Sequence, residues 1–287
     1  MHEVEVKGIL SAKNGMNIYR GCSHGCIYCD ARSTCYQMQH PFEDIEVKVN
    51  APQLLEYALK HKRSKCMIAT GSMSDPYLHL EEKLQYTRRC LKLILQYGFG
   101  VSILTKSTRI LRDLDLLEEI NRNAKCVAAM TLTTYDEQLC RIIEPHVSTT
   151  KERYQALKTF QKHGIPTVVW LDPLLPYIND TKENVQGILE YCLDAGVKGI
   201  MCMGMGLTLR EGNREYFYEK LDAYFPGMKA RYCREFGNAY EIESPNSQEL
   251  MALFTDTCRE NGILYRPKDI FCYMAEFEDG YEQLSLF

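Results

Sequence analysis

The sequence predicts an α/β protein: a partial (β/α)6 TIM-type barrel followed by a C-terminal extension. Between about residues 16 and 206, six short apolar runs alternate with amphipathic helical patterns. Such alternation means parallel βαβ units, and six in succession suit an open barrel better than a flat sheet. With 287 residues, 45% of them hydrophobic, the chain can bury one sizeable core.

The expected strands are Asn17–Gly21, Cys66–Thr70, Gly100–Thr105, Cys126–Thr131, Thr167–Leu171 and Gly199–Met203. Between them, Ile110, Leu114 and Leu117 share a helical face with Leu111, and Val185, Ile188, Leu189 and Cys192 repeat at i, i+3, i+4, i+7. Thr149-Thr150-Lys151-Glu152 offers a capping box before the helix carrying Tyr154, Leu157 and Phe160. Asp180-Thr181-Lys182-Glu183 offers another. Downstream, Glu211–Phe225 reads as a helix, and a further one spans Ser247–Asn261, with Gly262 as its stop. No low-complexity linker intervenes. The expected organisation is a core over 1–206 with a loop of special chemistry at 22–29, an α-rich extension over 207–275 closing the barrel mouth or its side, and a tail over 276–287.

That loop is Cys22-Ser23-His24-Gly25-Cys26-Ile27-Tyr28-Cys29. Soft thiolates select zinc or iron–sulfur clusters. A structural zinc site takes four ligands, so a zinc knuckle would need Cys35, His24 or His40 beside the three cysteines. A cubane cluster held by three cysteines instead keeps one iron open.

The C-x3-C-x2-C spacing on a βα barrel resembles the radical SAM superfamily, which makes the expected fold the partial barrel of that type. The resemblance implies a [4Fe-4S] cluster on Cys22, Cys26 and Cys29, and S-adenosyl-L-methionine (SAM) on the open iron. Reductive cleavage of SAM would give a 5′-deoxyadenosyl radical that abstracts hydrogen. It also implies an electron donor such as flavodoxin or ferredoxin, and it places Tyr28 near the adenine. Reactive groups of such barrels gather at the C-terminal strand ends. Gly71 and Ser72 after the second strand, Lys106 after the third, and Thr131 and Thr133 at the end of the fourth are therefore the expected cofactor-binding residues. Glycine admits close backbone approach, hydroxyls bond carboxylate or amine, and lysine pairs with a carboxylate.

Ser74-Asp75-Pro76-Tyr77, Ile143-Glu144-Pro145-His146-Val147-Ser148 with Arg153, and Asp172-Pro173-Leu174-Leu175-Pro176-Tyr177-Ile178-Asn179-Asp180, with its Pro-x-x-Pro-x-x-Asn-Asp pattern, resemble segments of spore photoproduct lyase-like radical SAM proteins. Two positions depart. Where those lyases carry a hydrogen-donating cysteine this chain has Ser72, and where they carry a relay tyrosine it has Asp30. A serine O–H is too strong to yield hydrogen to a carbon radical, so a true photoproduct lyase is not expected. Cys233, Cys258 and Cys272 lack the close pairs of an auxiliary cluster; Cys272 is the candidate hydrogen donor from the extension.

Thirteen cysteines are too dispersed for a disulfide framework, and no apolar run is long enough to span a bilayer. The expected location is a reducing cytoplasm, with no membrane partner. The net charge of −4 and pI near 6.0 exert no global pull on nucleic acid.

The chain ends Gln283-Leu284-Ser285-Leu286-Phe287. This resembles the peptide by which bacterial polymerases and repair factors bind the DNA sliding clamp: Gln283 would bond the rim while Leu284, Leu286 and Phe287 fill an apolar cleft. The leading expectation is a radical SAM enzyme acting on DNA in repair or modification. The alternatives are the same chemistry on RNA, protein or a small metabolite, or a non-catalytic metal-binding adaptor of the replication machinery.

Overall fold

A computed structural model of the chain describes residues 1–278. Its centre is an all-parallel sheet of β1 (Gly15–Met16), β2 (Met67–Thr70), β3 (Gly100–Thr105), β4 (Cys126–Thr131), β5 (Thr167–Trp170) and β6 (Gly199–Met201). These strands are hydrogen-bonded in chain order, as successive right-handed βαβ units require. Among the described residues β1 and β6 do not pair, which makes the barrel partial.

The first strand lies earlier than expected. Gly15 and Met16 pair with Ala69 and Thr70, whereas Tyr19 and Arg20 join a side sheet, antiparallel to Glu46–Lys48. Met16, Ile18 and Tyr19 are all buried, so hydrophobicity cannot separate the two segments; hydrogen-bond partners do. The other five expected strands form within two residues of their predicted ends.

Alternation sorts each strand. Ile68, Ile103, Met130, Val169 and Ile200 pack outward in the main core beneath the helices. Met67, Val127, Ala129, Val168 and Met201 face inward in a separate cluster with Ile270. Each large aliphatic side chain buried this way contributes about 1.5–3 kcal/mol.

The capping box at Thr149 and Glu152 forms and starts helix Thr150–Lys162. In the second expected box Thr181 caps helix Lys182–Asp194, while Asp180 turns instead to Ser244. Ile110 and Leu111 lie in a 3-10 turn that precedes helix Leu114–Asn123.

The extension contains a two-stranded antiparallel sheet (Gly206–Thr208 with Glu241–Glu243) whose strands are joined through helices Asn213–Tyr224 and Met228–Phe236. Helix Ser247–Glu260 covers the barrel's side against Lys182–Asp194. The last helix, Pro267–Ala275, enters the inner face from the N-terminal strand ends. The Tyr273 ring lies 4.0 Å from Lys125 Nζ and 5.7 Å from Lys198 Nζ, both just before strands. The mouth above it is left open. Inward positions near the C-terminal strand ends stay accessible: Ala69 is exposed, and Leu104, Lys106, Trp170 and Asp172 are partly so.

Candidate active site

The cysteine loop follows β1 and crosses the mouth. Backbone bonds fix it on both sides: Cys22 N donates to Phe42 O (3.0 Å), Ile27 N to Ile143 O (3.0 Å) and His146 N to His24 O (3.1 Å). Cys26 is buried, Cys22 and Cys29 are half-buried, and all three thiols are free.

Burial pushes the Cys22 thiol up to about 12, with Cys29 and Asp75 adding to it. It raises Cys26 and Cys29 as well, against the opposing pull of Lys106. Thiols held this way ionise only when a cationic centre binds them.

Around a tetrahedral zinc, sulfurs sit about 3.8 Å apart. Among the described residues the one set of three ligand atoms within 4.8 Å of one another is His2, His40 and Asp44, so the cysteine sulfurs are spread more widely. Of the three residues that could have completed a zinc knuckle, Cys35 and His40 are engaged elsewhere, and His24, whose Nε2 is buried without a partner among the described residues, does not gather with the cysteine sulfurs within ligating distance. His24 Nδ1 faces Asp75 at 3.5 Å, Cys35 lies 3.4 Å from the Arg210 guanidinium, and His40 Nε2 is 2.8 Å from Glu46. Three thiols without a fourth protein ligand fit a cubane cluster with an open iron.

Asp75, after β2, ties the neighbouring strand end to this loop. It accepts from Thr105 Oγ1 (2.7 Å), Lys106 N (2.8 Å) and Tyr77 N (2.8 Å). Ser74 Oγ donates to Gly21 O at 2.6 Å, just before Cys22. The Ser-Asp-Pro segment is therefore a clamp rather than a plain turn. Gly71 holds φ +100°, and a Cβ there would lie 1.8 Å from Leu104 O. Packing of β2 on β3 demands glycine at this position. Ser72 is exposed.

Lys106 projects inward beside the loop, its Nζ 5.8 Å from the Tyr28 ring. Burial would lower this ammonium, but Cys26 and Glu144 outweigh it and hold it above the ordinary lysine range. Tyr28 donates its hydroxyl to Glu144, which Arg153 engages in an ion pair; both charged side chains are fully buried. Burial, then Glu144, pushes the Tyr28 phenol far up, so it stays protonated. Burial alone would raise Glu144, yet Arg153 and Lys106 keep it below the usual carboxylate range. Arg153 also donates to Thr131 O at 2.6 Å, and Thr133 Oγ1 to Glu144 at 3.3 Å. Thr131 and Thr133 are thus buried in the wall, and the Thr133 hydroxyl is spent on Glu144.

Asp30 pairs with Arg210 (3.4 Å) and accepts from Tyr36 Oη (2.9 Å), which joins the extension to the loop. Cys272 is exposed on the last helix. Gln283, Leu284, Leu286 and Phe287 lie outside the described residues. Sequence reasoning gave no role to the Glu144–Arg153 pair or to Asp172. The only signal was their place in the quoted segments.

The radical SAM superfamily matches residues 16–192. An uncharacterized protein of Methanocaldococcus jannaschii is 34% identical, over 85% of this chain and 81% of its own. A radical SAM Nalpha-GlyT isomerase of Pseudomonas phage M6 is 21% identical, over 84% of this chain and 44% of its own. Among solved structures, spore photoproduct lyase complexed with dinucleoside spore photoproduct is similar in fold, with a TM-score of 0.63 at 13% identity over 90% of this chain and 78% of that one. Three free thiols on a loop across a parallel barrel mouth agree with these likenesses: the chain belongs to the radical SAM superfamily, with a [4Fe-4S] cluster and SAM as its cofactors.

Proposed function

We propose that this radical SAM enzyme acts on DNA, on a damaged or modified nucleotide, and is not a spore photoproduct lyase. Cys22, Cys26 and Cys29 would hold the cluster, which with SAM bound would supply one-electron cleavage of the sulfonium C5′–S bond to methionine and a hydrogen-abstracting 5′-deoxyadenosyl radical. Lys106, an ammonium facing the loop that hydrogen-bonds no carboxylate among the described residues, would bind the SAM carboxylate, and Gly71 and Ser72 border the same rim. Glu144 keeps the Tyr28 ring in place for the adenine, while Thr131 and Thr133 back that wall.

The DNA reading rests on the segments that resemble the spore photoproduct lyase group and on the lyase fold seen with a dinucleoside photoproduct. Against lyase chemistry, Ser72 replaces the donor thiol, and Asp30 stands where a phenol would be, committed to Arg210. The observation that carries the proposal is this pairing of an intact cofactor wall with an altered quenching side. Cys272 remains the candidate hydrogen donor in the extension.

The thirteen cysteines, all free, support a reducing cytoplasm, and the electron would come from a flavodoxin- or ferredoxin-type donor. Among the described residues no helix is long and apolar enough to cross a membrane. The tail peptide would bring the enzyme to the sliding clamp. Deleting Gln283–Phe287 is expected to abolish clamp capture in a calorimetric titration, and unchanged binding would remove that partner. The substrate class is tested by deuterium transfer into 5′-deoxyadenosine from labelled DNA, RNA and peptide pools. Transfer from RNA or peptide alone would replace the DNA reading.

A further inference from the structure

On the β5–β6 side of the mouth, accessible side chains gather that take no part in holding the cofactors. Trp170 ends β5, and Asp172 follows two residues later on the same inward face. Across from Asp172, Met203 is 64% exposed, and Phe271 of the last helix is 47% exposed. The Phe271 ring stands edge-on to Trp170, centroids 6.1 Å apart.

This wall is incomplete as it stands. Among the described residues the Trp170 indole N–H is buried without an acceptor, a state that native proteins rarely leave unexplained. Asp172 accepts the Met203 N–H at 2.7 Å and has no cationic partner among the described residues. Burial pushes its carboxyl up to about 7, against the Met203 N–H, the Cys202 thiol and the Gly204 N–H. An aromatic pair on the same face as a carboxyl with no cationic partner among the described residues suits a flat ring that carries hydrogen-bonding groups on its edge. A nucleobase has that character, with an acceptor and a donor side by side and two faces for stacking.

We propose that Trp170, Asp172, Met203 and Phe271 form a nucleobase-binding wall, with Asp172 reading the base edge and the aromatic rings and Met203 covering its face. The assignment rests on the DNA reading above and names the residues that would meet the base. In the neutral form the Asp172 carboxyl offers both a donor and an acceptor, which a carboxamide reproduces.

Trp170 is the chain's one tryptophan, so its emission reports this wall alone. Anaerobic holoprotein is titrated with thymidine, deoxyadenosine, a single-stranded deoxypentanucleotide and, as the ammonium probe, glycinamide. Saturable emission changes are expected with the nucleosides and the oligonucleotide. Affinity should fall about tenfold in Phe271→Ala and Asp172→Ala, and stay within about threefold in Asp172→Asn. Phe271 is exposed, so its variant is expected to fold, which thermal melting checks. Two results would overturn the wall: no saturable change with any nucleoside or oligonucleotide, or saturation by glycinamide with Asp172→Asn as damaging as Asp172→Ala. If DNA donates deuterium while Phe271→Ala and Asp172→Ala leave its KM unchanged, the wall fails and the DNA reading stands. If nucleosides bind here but no DNA donates deuterium, the wall stands and the DNA reading fails.

Discussion

Arg153→Met tests the physical basis of the cofactor wall. Arg153 and Glu144 are both fully buried, and the substitution leaves Glu144 with the Tyr28 and Thr133 hydroxyls and the Cys140 thiol as donors but no ion-paired cation. An uncompensated buried carboxylate costs about 3–5 kcal/mol. The cost has a ceiling, because the group can take up a proton instead, at about 1.36 kcal/mol for each pH unit above its ordinary value near 4.3. That ceiling is about 5 kcal/mol at pH 8 and about 1.6 kcal/mol at pH 5.5. Losing the Arg153 bond to Thr131 O adds about 1 kcal/mol at either pH. The variant should therefore lose stability steeply as pH rises, whereas the native pair, with Glu144 held below the usual range, stays charged throughout this window. Anaerobic urea unfolding from pH 5.5 to 8 reads the difference. A loss that does not change with pH, or one under about 1 kcal/mol at pH 8, would refute the reasoning and mean that Lys106 alone neutralises Glu144.

Cys29→Ala should leave protein without a stable four-iron cluster and without SAM cleavage; iron and sulfide content with 5′-deoxyadenosine formation checks this, and cleavage at an intact cluster would reject Cys29 as a ligand. Gly71→Ala places a Cβ against the Leu104 carbonyl in a left-handed backbone region, so a loss of about 3 kcal/mol or more is expected in denaturant unfolding. A midpoint close to wild type would show that β2 and β3 can separate there. Asp172, raised to about 7, binds its proton more tightly folded than unfolded, so it makes stability fall as pH climbs from about 4 to about 7, with no further change above. Asp172→Asn should remove that slope, and parallel pH profiles of variant and wild type would contradict it.

Local spacing made much of this protein legible. The C-x3-C-x2-C loop, five of the six barrel strands and the Thr149 capping box depend on residues close in sequence, where periodicity and ligand spacing act directly. The first strand was legible only as an apolar run, because burial is the same on either side of Ile18 while the pairing partners lie about fifty and thirty residues away. The same limit applied at the site. Lys106 was readable as a strand-end lysine, but its tie to Asp75 and its place beside Tyr28 were not. Glu144 meets Tyr28 across 116 residues of chain, and Arg210 reaches Asp30 from the extension.

The sequence by itself determined the chemistry of the loop and the class of barrel, because thiol spacing and βα alternation are short-range properties. Only the tertiary structure decided which carboxylate steadies Tyr28, why residue 71 must be glycine, and that the last helix fills the inner face and leaves the mouth open. Those outcomes depend on which distant groups meet once the core closes. No spacing along the chain encodes that.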